Sequence, residues 1–307
     1  MCGIAGFLDL APCPATSGGD MTAAARAMAD RLIHRGPDDV GTWVDPQAGI
    51  ALGFRRLAIV DLSPAGHQPM ESASGRYMVA FNGEIYNHRD LRRRLLLEHP
   101  HTFRGHSDTE VLLTAIERWG VRQTLEEAVG MFAIALWDRT DQTLTLARDR
   151  LGEKPLYYGL HGRTLLFASE LKAVVAHEAF TDRVDPESLS LFLRYGYTPA
   201  PHSIYEHTKK LTPGTLVQFP ARALRTQGPA LPEPVPYWTA KQAAEAGHAS
   251  PFAGNFKEAA EQLEGLMRAA IADQMVADVP VGAFLSGGID SSLVVALMQT
   301  QCVRQVK

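Results

Sequence analysis

The chain has 307 residues, enough for two domains, and its 46% hydrophobic and 21% charged residues are ordinary for a soluble globular protein. Its net charge of −4 disfavours nucleic acid or an anionic membrane as a partner. No apolar run reaches the roughly 18 residues of a membrane span, and the first residues lack a signal-peptide pattern. Its three cysteines, Cys2, Cys13 and Cys302, are widely spaced, which fits a cytoplasmic protein better than a disulfide framework.

The first candidate catalytic residue is Cys2, which follows the initiator Met1. Removal of Met1 leaves Cys2 with a free α-amine, whose pKa in model peptides is about 7.7–8.0. A thiol needs an adjacent base to attack a carbonyl carbon, and an N-terminal Cys supplies that base itself. The alternative is a buried Cys before an ordinary first strand, because the apolar run Ile4–Leu10 predicts a strand.

A loop and a helix come next in the chain. The segment Ala11–Asp20 is rich in Pro, Gly and Ser and predicts a loop. Met21–Ile33 has helical spacing and ends at the charged loop His34–Asp39. This loop is interpreted either as a plain helix terminus or as part of a ligand site.

The segment Ile50–Asp61 predicts two strands around a turn at Gly53. Arg56 is its candidate binding residue, because a guanidinium pairs with a carboxylate through two parallel hydrogen bonds. Side chains alternate along a strand, so Arg55 should lie on the opposite face. The alternative is that Arg56 is an exposed strand residue.

Asn82 and Gly83 lie between two apolar runs in the segment Tyr77–Asn87. An Asn-Gly pair in this setting is a strong signal for a β-hairpin turn. A second interpretation is an oxyanion site, in which the Asn82 amide and the Gly83 N–H stabilise negative charge on a tetrahedral intermediate.

Two helices should follow, at Arg89–Leu97 and Val111–Trp119. Ser107 is the predicted N-cap of the second, and Glu110 would complete a capping box. Asp108 has two interpretations. Acids favour helix N-termini for electrostatic reasons, and a carboxylate is also a partner for an ammonium group.

The next part of the chain predicts scaffold elements. Met131–Ala147 reads as a hairpin, Gly152 as a tight turn and Asp185–Gly196 as a helix. The proline-rich segment Thr198–Trp238 predicts a connecting region with one hairpin around Pro213-Gly214.

The last part changes pattern. Phe256–Met275 predicts an amphipathic helix, Val279–Leu285 an apolar strand of a parallel sheet, and Leu293–Gln299 a helix. The glycine-rich loop Ser286–Ser292 lies between the strand and the last helix. A strand, such a loop and a helix N-terminus form an anion site, although the Walker-type lysine is missing.

Several of these stretches resemble one family. MCGIAGF at the N-terminus is similar to the start of the class II glutamine amidotransferases, whose glutaminase domain is an N-terminal-nucleophile fold. RLAIVD, NGEIYNH, SDTE, RDRLGEKPLYY and SGGIDSS resemble motifs of the glutamine-dependent asparagine synthetases within that group. The resemblance covers essentially the whole chain. Glu153 departs from it, because the family has an apolar residue there.

The resemblance implies an α+β fold class with a four-layer αββα N-terminal-nucleophile glutaminase domain at residues 2–200. A proline-rich connecting region would span 201–250, and 251–307 would begin an α/β ATP-pyrophosphatase domain. One strand and two helices cannot bury both faces of a doubly wound sheet, so we expect this second domain to be incomplete.

The resemblance also implies the site residues. Cys2 would attack glutamine, Asn82 and Gly83 would hold the oxyanion, and the His34–Asp39 loop would lie near the glutamine. The implied glutamine-binding residues are Arg56, Leu57, Ala58, Ile59, Val60, Asn82, Gly83, Glu84 and Asp108. The implied ATP-binding residues are Phe284, Leu285, Ser286, Gly287, Gly288, Asp290, Ser291 and Ser292.

For the full-length enzyme, the resemblance implies aspartate as the acceptor, ATP and Mg²⁺ as cofactors, and a homodimer. The glutaminase step would need no cofactor, and no residue of this chain is assigned as a metal ligand. Three alternatives stay open. They are an amidotransferase with another acceptor, as in cell-surface polysaccharide assembly, a regulatory domain without turnover, and an RNA-modifying enzyme. The intact Cys2 disfavours the second, and the acidic net charge disfavours the third.

Overall fold

The computed structural model describes residues 1–11, 18–228 and 230–302 together with residue 306. These residues form two units. The first consists of Met1–Ala58 and Ser63–Thr239, and the second of Ile59–Leu62 and Ala240–Lys307. None of the helices in the described ranges is long and apolar enough to cross a membrane. Cys13 lies outside the described residues.

The first unit contains two six-stranded antiparallel sheets. Its strands are β1 (Gly3–Asp9), β2 (Asp39–Asp45), β3 (Ile50–Arg56), β4 (Met70–Glu71), β5 (Tyr77–Ile85), β6 (Gly130–Asp138), β7 (Thr143–Arg148), β8 (Tyr157–His161), β9 (Thr164–Ala168), β10 (Thr208–Lys210), β11 (Thr215–Pro220) and β12 (Val235–Pro236). The strand order is β10-β8-β9-β1-β3-β2 in one sheet and β12-β11-β7-β6-β5-β4 in the other.

The helices of the first unit are α1 (Gly18–Asp30), α2 (His88–Glu98), α3 (Asp108–Trp119), α4 (Val121–Glu127), α5 (Leu171–Val175), α6 (Pro186–Tyr195) and α7 (Ala221–Gln227). The helices α1 and α5 pack on the outer face of one sheet and α3 on that of the other, whereas α7 packs against the cluster between the sheets. One buried cluster joins the inner faces of the two sheets. A second lies between β5 and α3, and a third between β1 and α1. The predicted four-layer αββα fold is therefore confirmed.

Strand alternation explains why β5 can lie in the middle of these layers. Met78 and Ala80 point into the cluster between the sheets, whereas Val79 and Phe81 point into the cluster under the helices. Both faces of this strand are buried, so its sequence reads as an apolar run rather than as an alternating pattern.

Two turns that were predicted from glycine are wrong. Gly53 lies inside the continuous strand β3, and Asn82-Gly83 lies inside β5. A Cβ atom at Gly53 would lie 2.6 Å from the Ala25 carbonyl oxygen, and one at Gly83 would lie 2.2 Å from that of Met131. Both glycines are therefore required by the close approach of neighbouring backbone, not by a turn.

The region predicted as a connector also differs in the structure. The strands on either side of Pro213-Gly214 do not pair with each other, because β10 pairs with β8 and β11 pairs with β7. The Tyr237 hydroxyl further donates a hydrogen bond to the Arg148 carbonyl oxygen at 2.7 Å. Ladder hydrogen bonds thus hold this segment in both sheets, and the first unit continues to Thr239.

The second unit contains the helices α8 (Ala240–Ala249), α9 (Phe256–Gln274) and α10 (Ile289–Gln301). A capping box between Asn255 and Glu258 begins α9, as the amphipathic pattern there allows. The predicted strand Val279–Leu285 is wrong, because none of the residues described here forms a ladder with it. A strand needs a partner for its backbone groups.

Candidate functional site

Cys2 lies directly before β1, which is flanked by β9 and β3 in its sheet. The Leu57 N–H donates to Cys2 Sγ at 3.4 Å, and the thiol donates to the Leu57 carbonyl oxygen at 3.6 Å. Burial raises the pKa of the Cys2 thiol, and the Leu57 backbone and the terminal amine oppose that effect only in part. The thiol is therefore protonated at neutral pH and needs a base in order to react.

The N-terminal amine of the chain lies close to the Cys2 thiol. It belongs to Met1 here, and burial lowers its pKa, with further lowering by the positive charges of Arg35 and Lys154. A lowered pKa favours the neutral amine, which can accept a proton. Removal of Met1 would create a new α-amine on the backbone nitrogen of Cys2, one residue further along the chain.

Arg35 fixes the backbone of Cys2. Its Nε donates to the Cys2 carbonyl oxygen at 2.8 Å, and its Nη1 donates to Glu170 Oε1 at 2.8 Å. The same loop reaches β3, because the Asp38 N–H donates to the Arg56 carbonyl oxygen and Asp38 Oδ2 accepts from the Ala58 N–H. The His34–Asp39 loop is thus in direct contact with the residue predicted as nucleophile.

Arg55 and Arg56 have different partners, as strand alternation predicts. Arg55 Nη2 forms an ion pair with Asp30 at the end of α1. Arg56 Nη1 donates to the Ser63 carbonyl oxygen at 3.2 Å, and its charge acts on both Cys2 and Asp108. The Arg56 guanidinium therefore lies on the side of the candidate site, and the Arg55 guanidinium does not.

Asn82 has a buried side chain that lacks a partner. It is 1% exposed, and among the described residues neither Oδ1 nor Nδ2 of its amide has a hydrogen bond. It shares a strand face with Met78 and Ala80, so it points toward the cluster against which Cys2 packs. Buried amides are almost always bonded, so this amide has hydrogen-bonding capacity that a ligand could use.

The Gly83 N–H points away from β6. Phe132, opposite Gly83 in β6, exchanges both of its backbone hydrogen bonds with Asp149 on the β7 side. The Gly83–Phe132 pair is therefore a non-hydrogen-bonded pair of the antiparallel ladder. Phe81 and Ile85 point their N–H groups to the same outer side, where Gln68 and Asp108 accept them. Gly83 lies between Phe81 and Ile85 in β5, so its N–H points to the same side as theirs.

Two acidic groups adjoin this part of β5. Asp108 is buried at the start of α3, where Ser107 caps the helix by accepting from the Glu110 N–H. Burial raises the pKa of Asp108 to about 6, although backbone bonds and Arg56 oppose the shift. Burial and then Asp108 raise the pKa of Glu84. Two carboxyl groups this close suit a bound cation.

The remaining predicted binding residues form a loop, not a strand. Leu57 and Ala58 follow β3. The Leu57 N–H donates to Cys2 Sγ, and the Ala58 N–H donates to Asp38 Oδ2. Ile59 and Val60 belong to the second unit, where the Asp278 N–H donates to the Ile59 carbonyl oxygen at 2.9 Å. Of the motif RLAIVD, only its first residue, Arg56, therefore lies in strand β3.

The predicted ATP-binding residues lie in the second unit. Gly287 has φ +82°, which glycine adopts readily, and α10 begins at Ile289, four residues earlier than predicted. Ser291 and Ser292 both donate to the Gly288 carbonyl oxygen, at 3.1 and 2.8 Å. Phe284, Leu285, Ser286 and Asp290 are all exposed. The loop leads into a helix N-terminus, where backbone N–H groups suit phosphate oxygens, although the Gly288 N–H already donates to Ser286 Oγ at 3.4 Å.

Two charged residues near the N-terminus of the chain were not predicted as site residues. Arg35 belongs to the loop His34–Asp39, which had two interpretations, and Lys154 belongs to RDRLGEKPLYY, which was given only as a motif of the family. Both are buried, with 8% and 5% exposure. A buried Lys or Arg is rare enough to draw attention, but only the structure reports its burial.

Comparisons with known proteins agree with this geometry. A family model described as a glutamine amidotransferase domain matches residues 1–228, and one described as asparagine synthase matches residues 262–307. A putative glutamine-hydrolyzing asparagine synthetase of Mycobacterium tuberculosis (strain ATCC 25618 / H37Rv) is 35% identical over 97% of this chain and 45% of its own length. Glutamine-hydrolyzing asparagine synthetase 1 of Bacillus subtilis (strain 168) is also 35% identical, over 97% and 44%.

The chain spans less than half the length of these relatives. Among solved structures, the glutamine phosphoribosylpyrophosphate amidotransferase from B. subtilis matches with a TM-score of 0.53 and 18% identity. The match covers 77% of this chain and 49% of that one. At this identity the likeness concerns the fold alone.

Proposed function

The chain belongs to the glutamine amidotransferase domain family, and from this premise we propose that its first unit hydrolyses L-glutamine to glutamate and ammonia with Cys2 as nucleophile. The observation that carries the proposal is the Asn82 amide, which is buried, unpartnered among the described residues and directed at the sheet that bears Cys2. A structural amide would be bonded to the protein, as that of Gln68 is to Phe81.

The proposed reaction begins when Met1 has been removed. The α-amine of Cys2 takes the thiol proton, and the thiolate attacks the side-chain amide carbon of glutamine. The Asn82 amide and the Gly83 N–H stabilise the negative oxygen of the tetrahedral intermediate. The protonated amine then gives its proton to the leaving nitrogen, which departs as ammonia. Water, deprotonated by the same amine, cleaves the γ-glutamyl thioester to glutamate and restores Cys2.

Recognition of glutamine is assigned to the charged groups around Cys2. Arg56 would bind the α-carboxylate, and Asp108 with Glu84 would bind the α-ammonium. The backbone of Leu57 and Ala58 would line the same site. Binding both ends of the zwitterion would distinguish free glutamine from a peptide-bound amide, because each charged end needs its own partner.

The acceptor of the ammonia is proposed to be aspartate, activated by ATP, so that the full-length protein makes asparagine. The asparagine synthase match at residues 262–307 and the names of the relatives support this assignment. The loop Ser286–Ser292, with Phe284 and Leu285 before it, would hold ATP. The loop is open at Gly287, where a Cβ would meet nothing within 4 Å, so a ligand could approach its backbone.

Mg²⁺ is proposed only as the companion of ATP in the full-length protein. In the described parts of the chain no three His, Cys, Asp or Glu residues are grouped as metal ligands. No step is assigned to the ion.

We also propose that the protein works in the cytoplasm as a homodimer, without nucleic-acid or membrane partners. The proposed chemistry supports the compartment, because Cys2 must stay a reduced thiol and a reducing cytoplasm keeps it so. Light scattering after gel filtration tests the dimer, and cell fractionation tests the compartment.

Glutamate release from L-glutamine by the purified protein tests the glutaminase. Cys2→Ala should lower the rate by at least about 10³-fold, because it removes the nucleophile. Cys302→Ala, which changes the free Cys of the second unit, should leave the rate unchanged. Equal activity of the Cys2→Ala variant would refute the proposal. Glutamine labelled with ¹⁵N in its amide, supplied with ATP, Mg²⁺ and candidate carboxylic acids, then identifies the acceptor by the amide that carries the label.

A further inference from the structure

Glu170 is an acidic residue to which the proposed reaction assigns no role, and it lies within a cluster of basic side chains. It is the residue directly before α5, close to the end of β9. Its Oε1 accepts from Arg35 Nη1 at 2.8 Å and lies 3.0 Å from His34 Nε2, and its Oε2 lies 3.1 Å from Lys172 Nζ. Burial opposes ionisation, but hydrogen bonds from these three side chains lower the pKa of Glu170 to about 2, so the carboxylate is charged.

Arg35 connects this carboxylate to Cys2. Its Nε donates to the Cys2 carbonyl oxygen at 2.8 Å, while Nη1 of the same guanidinium donates to Glu170. The Arg35 side chain is 7% exposed, whereas those of His34 and Lys172 are each 49% exposed. A guanidinium is planar and its N–H groups have fixed directions, so a bond that holds Nη1 also sets the direction of Nε. The buried part of the cluster therefore leads from the carboxylate to the residue proposed as nucleophile.

The backbone next to Glu170 is bonded to β1, the strand that follows Cys2. Ser169 is fully buried, and its N–H donates to the Ile4 carbonyl oxygen at 2.8 Å. The Ile4 N–H in turn donates to Ser169 Oγ at 2.9 Å. The carboxylate is therefore carried by a segment whose position is fixed relative to the start of β1.

Cys2 itself lies outside the strand ladder, because β1 begins at Gly3. Removal of Met1 would leave Cys2 joined to the chain through its carbonyl group alone. The thiol contacts the Leu57 backbone, and the carbonyl oxygen accepts from Arg35. These contacts at two ends of one residue set the direction of both its thiol and its amine.

We infer that Glu170 is a positioning residue, which holds the Arg35 guanidinium against the Cys2 carbonyl oxygen and thereby orients the thiol and the amine of Cys2 for attack. The inference rests on the proposed glutaminase. In that reaction Glu170 does not touch glutamine, so its loss should lower kcat and leave KM nearly unchanged. An ion pair that only stabilises the fold would lower the unfolding midpoint without lowering kcat.

Steady-state kinetics of glutamine hydrolysis should separate three variants, each checked by mass for loss of Met1. Glu170→Ala should lower kcat by about 10²-fold with KM within about twofold, because a shift of about 1 Å at a reacting group has an effect of that size. Glu170→Gln keeps an acceptor oxygen but loses the charge, so it should lower kcat by only about 3- to 10-fold. Glu71→Gln, which changes a matched pair with Arg139 at 2.9 Å, should leave both constants unchanged.

A double-mutant cycle tests whether Glu170 acts through Arg35. When Glu170→Ala is added to Arg35→Met, kcat should fall by less than about a further twofold, because the link is already broken. Independent roles would instead multiply the two losses. The double variant removes both charges, so its unfolding midpoint should exceed that of Glu170→Ala, in which a buried guanidinium lacks its carboxylate.

Crystal structures of the wild type and of Glu170→Ala test the geometry without turnover. The distance from Arg35 Nε to the Cys2 carbonyl oxygen, which is 2.8 Å, should increase beyond the hydrogen-bond limit of about 3.5 Å in the variant. An unmoved guanidinium overturns the inference, and so do multiplied losses in the cycle or a rise in KM without a fall in kcat. Absence of glutamate release by the wild-type protein would instead contradict the glutaminase, and the measured distance then decides whether Glu170 positions Arg35.

Discussion

Two polar regions of this molecule are built in opposite ways. Around β5, Asn82 and Asp108 are buried, and the Asn82 amide has no bonded partner among the described residues. In the loop Ser286–Ser292, all side chains except the half-buried Ser291 are exposed, and the serines bond to one another and to Gly288.

The two regions differ in how much each lowers the stability of the folded protein when no ligand is bound. A buried polar group without a hydrogen bond lowers stability by roughly 1–3 kcal/mol, and in Asn82 both polar atoms of one amide lack a partner among the described residues. Exposed serines that bond locally cost little. The first region is therefore strong support for a binding site, whereas the second is compatible with phosphate binding but does not require it.

The largest effect expected within the first region is at Asn82. Asn82→Ala should lower kcat by about 10²–10³-fold, as loss of an oxyanion donor does, with little change in KM. The unfolding midpoint should not fall by more than the small cavity explains, because the amide makes no bond to the described protein. Steady-state kinetics and thermal unfolding measure both quantities.

Gln68 is the matched control, because it is a buried amide that is bonded. Both ends of its amide pair with the Phe81 backbone. Gln68→Ala should lower stability by about 1–3 kcal/mol and change kcat far less than Asn82→Ala does. If the two variants had the same stability loss and the same kcat, the distinction between an unpartnered and a bonded amide would be lost.

The two adjacent arginines give the next largest effect. Arg56→Ala should raise KM for glutamine by about 10- to 150-fold, which corresponds to a charge-assisted contact of roughly 1.5–3 kcal/mol. Arg55→Ala should leave KM unchanged and lower the unfolding midpoint, since Arg55 pairs with Asp30. A rise in KM for Arg55→Ala but not for Arg56→Ala would show that Arg55, not Arg56, binds glutamine.

The pH dependence of glutamine affinity should report Asp108. Protonation removes the charge that would pair with the α-ammonium, so Kd should rise as pH falls below about 6. Calorimetric titration of Cys2→Ala with glutamine between pH 5 and 8 measures this without chemistry. Asp108→Asn should bind weakly at every pH.

The raised pKa of Asp108 also determines how the stability of the fold should change with pH. Burial raises the pKa of Asp108 from 3.8 to about 6, so the folded state binds the proton more tightly than the unfolded state does. Ionisation of Asp108 therefore opposes folding above about pH 6, and this opposition is absent below pH 3.8. Asp108→Asn should recover part of it at pH 7, provided that its Oδ1 still accepts from Ile85.

The smallest effect is expected in the second region. Ser291→Ala and Ser292→Ala remove hydrogen bonds of exposed side chains and should change glutamine hydrolysis by less than about twofold. Nucleotide binding by the protein, followed with a fluorescent ATP analogue, is where these two variants should differ from the wild type. A large loss of glutaminase activity would contradict the separation of roles between the two regions.

Local signals in the sequence predicted those features that depend on neighbouring residues in the chain. Alternation separated Arg55 from Arg56, and Ser107 capped α3 as expected. The same signals failed where distant backbone decides the structure. Asn82-Gly83 has the composition of a turn, but Gly83 is a glycine because Met131 lies against it.

The remaining failures have the same physical origin. Val279–Leu285 is apolar enough for a strand, yet strand formation is decided by a partner that the residues themselves do not specify. Arg35 acquires its place from contacts with Cys2 and Glu170, which are distant from each other in the chain. No pattern within one segment reports such an arrangement.

The most direct test of the central claim is covalent labelling by a chloromethyl ketone analogue of glutamine, in which a reactive carbon replaces the amide. If Cys2 is the nucleophile, mass spectrometry of protein that has lost Met1 should find one label, on Cys2, displaced by added glutamine and slowed in Arg56→Ala. Protein that retains Met1 should react much more slowly. Equal labelling with and without Met1, or labelling of Cys302 in place of Cys2, would contradict the account.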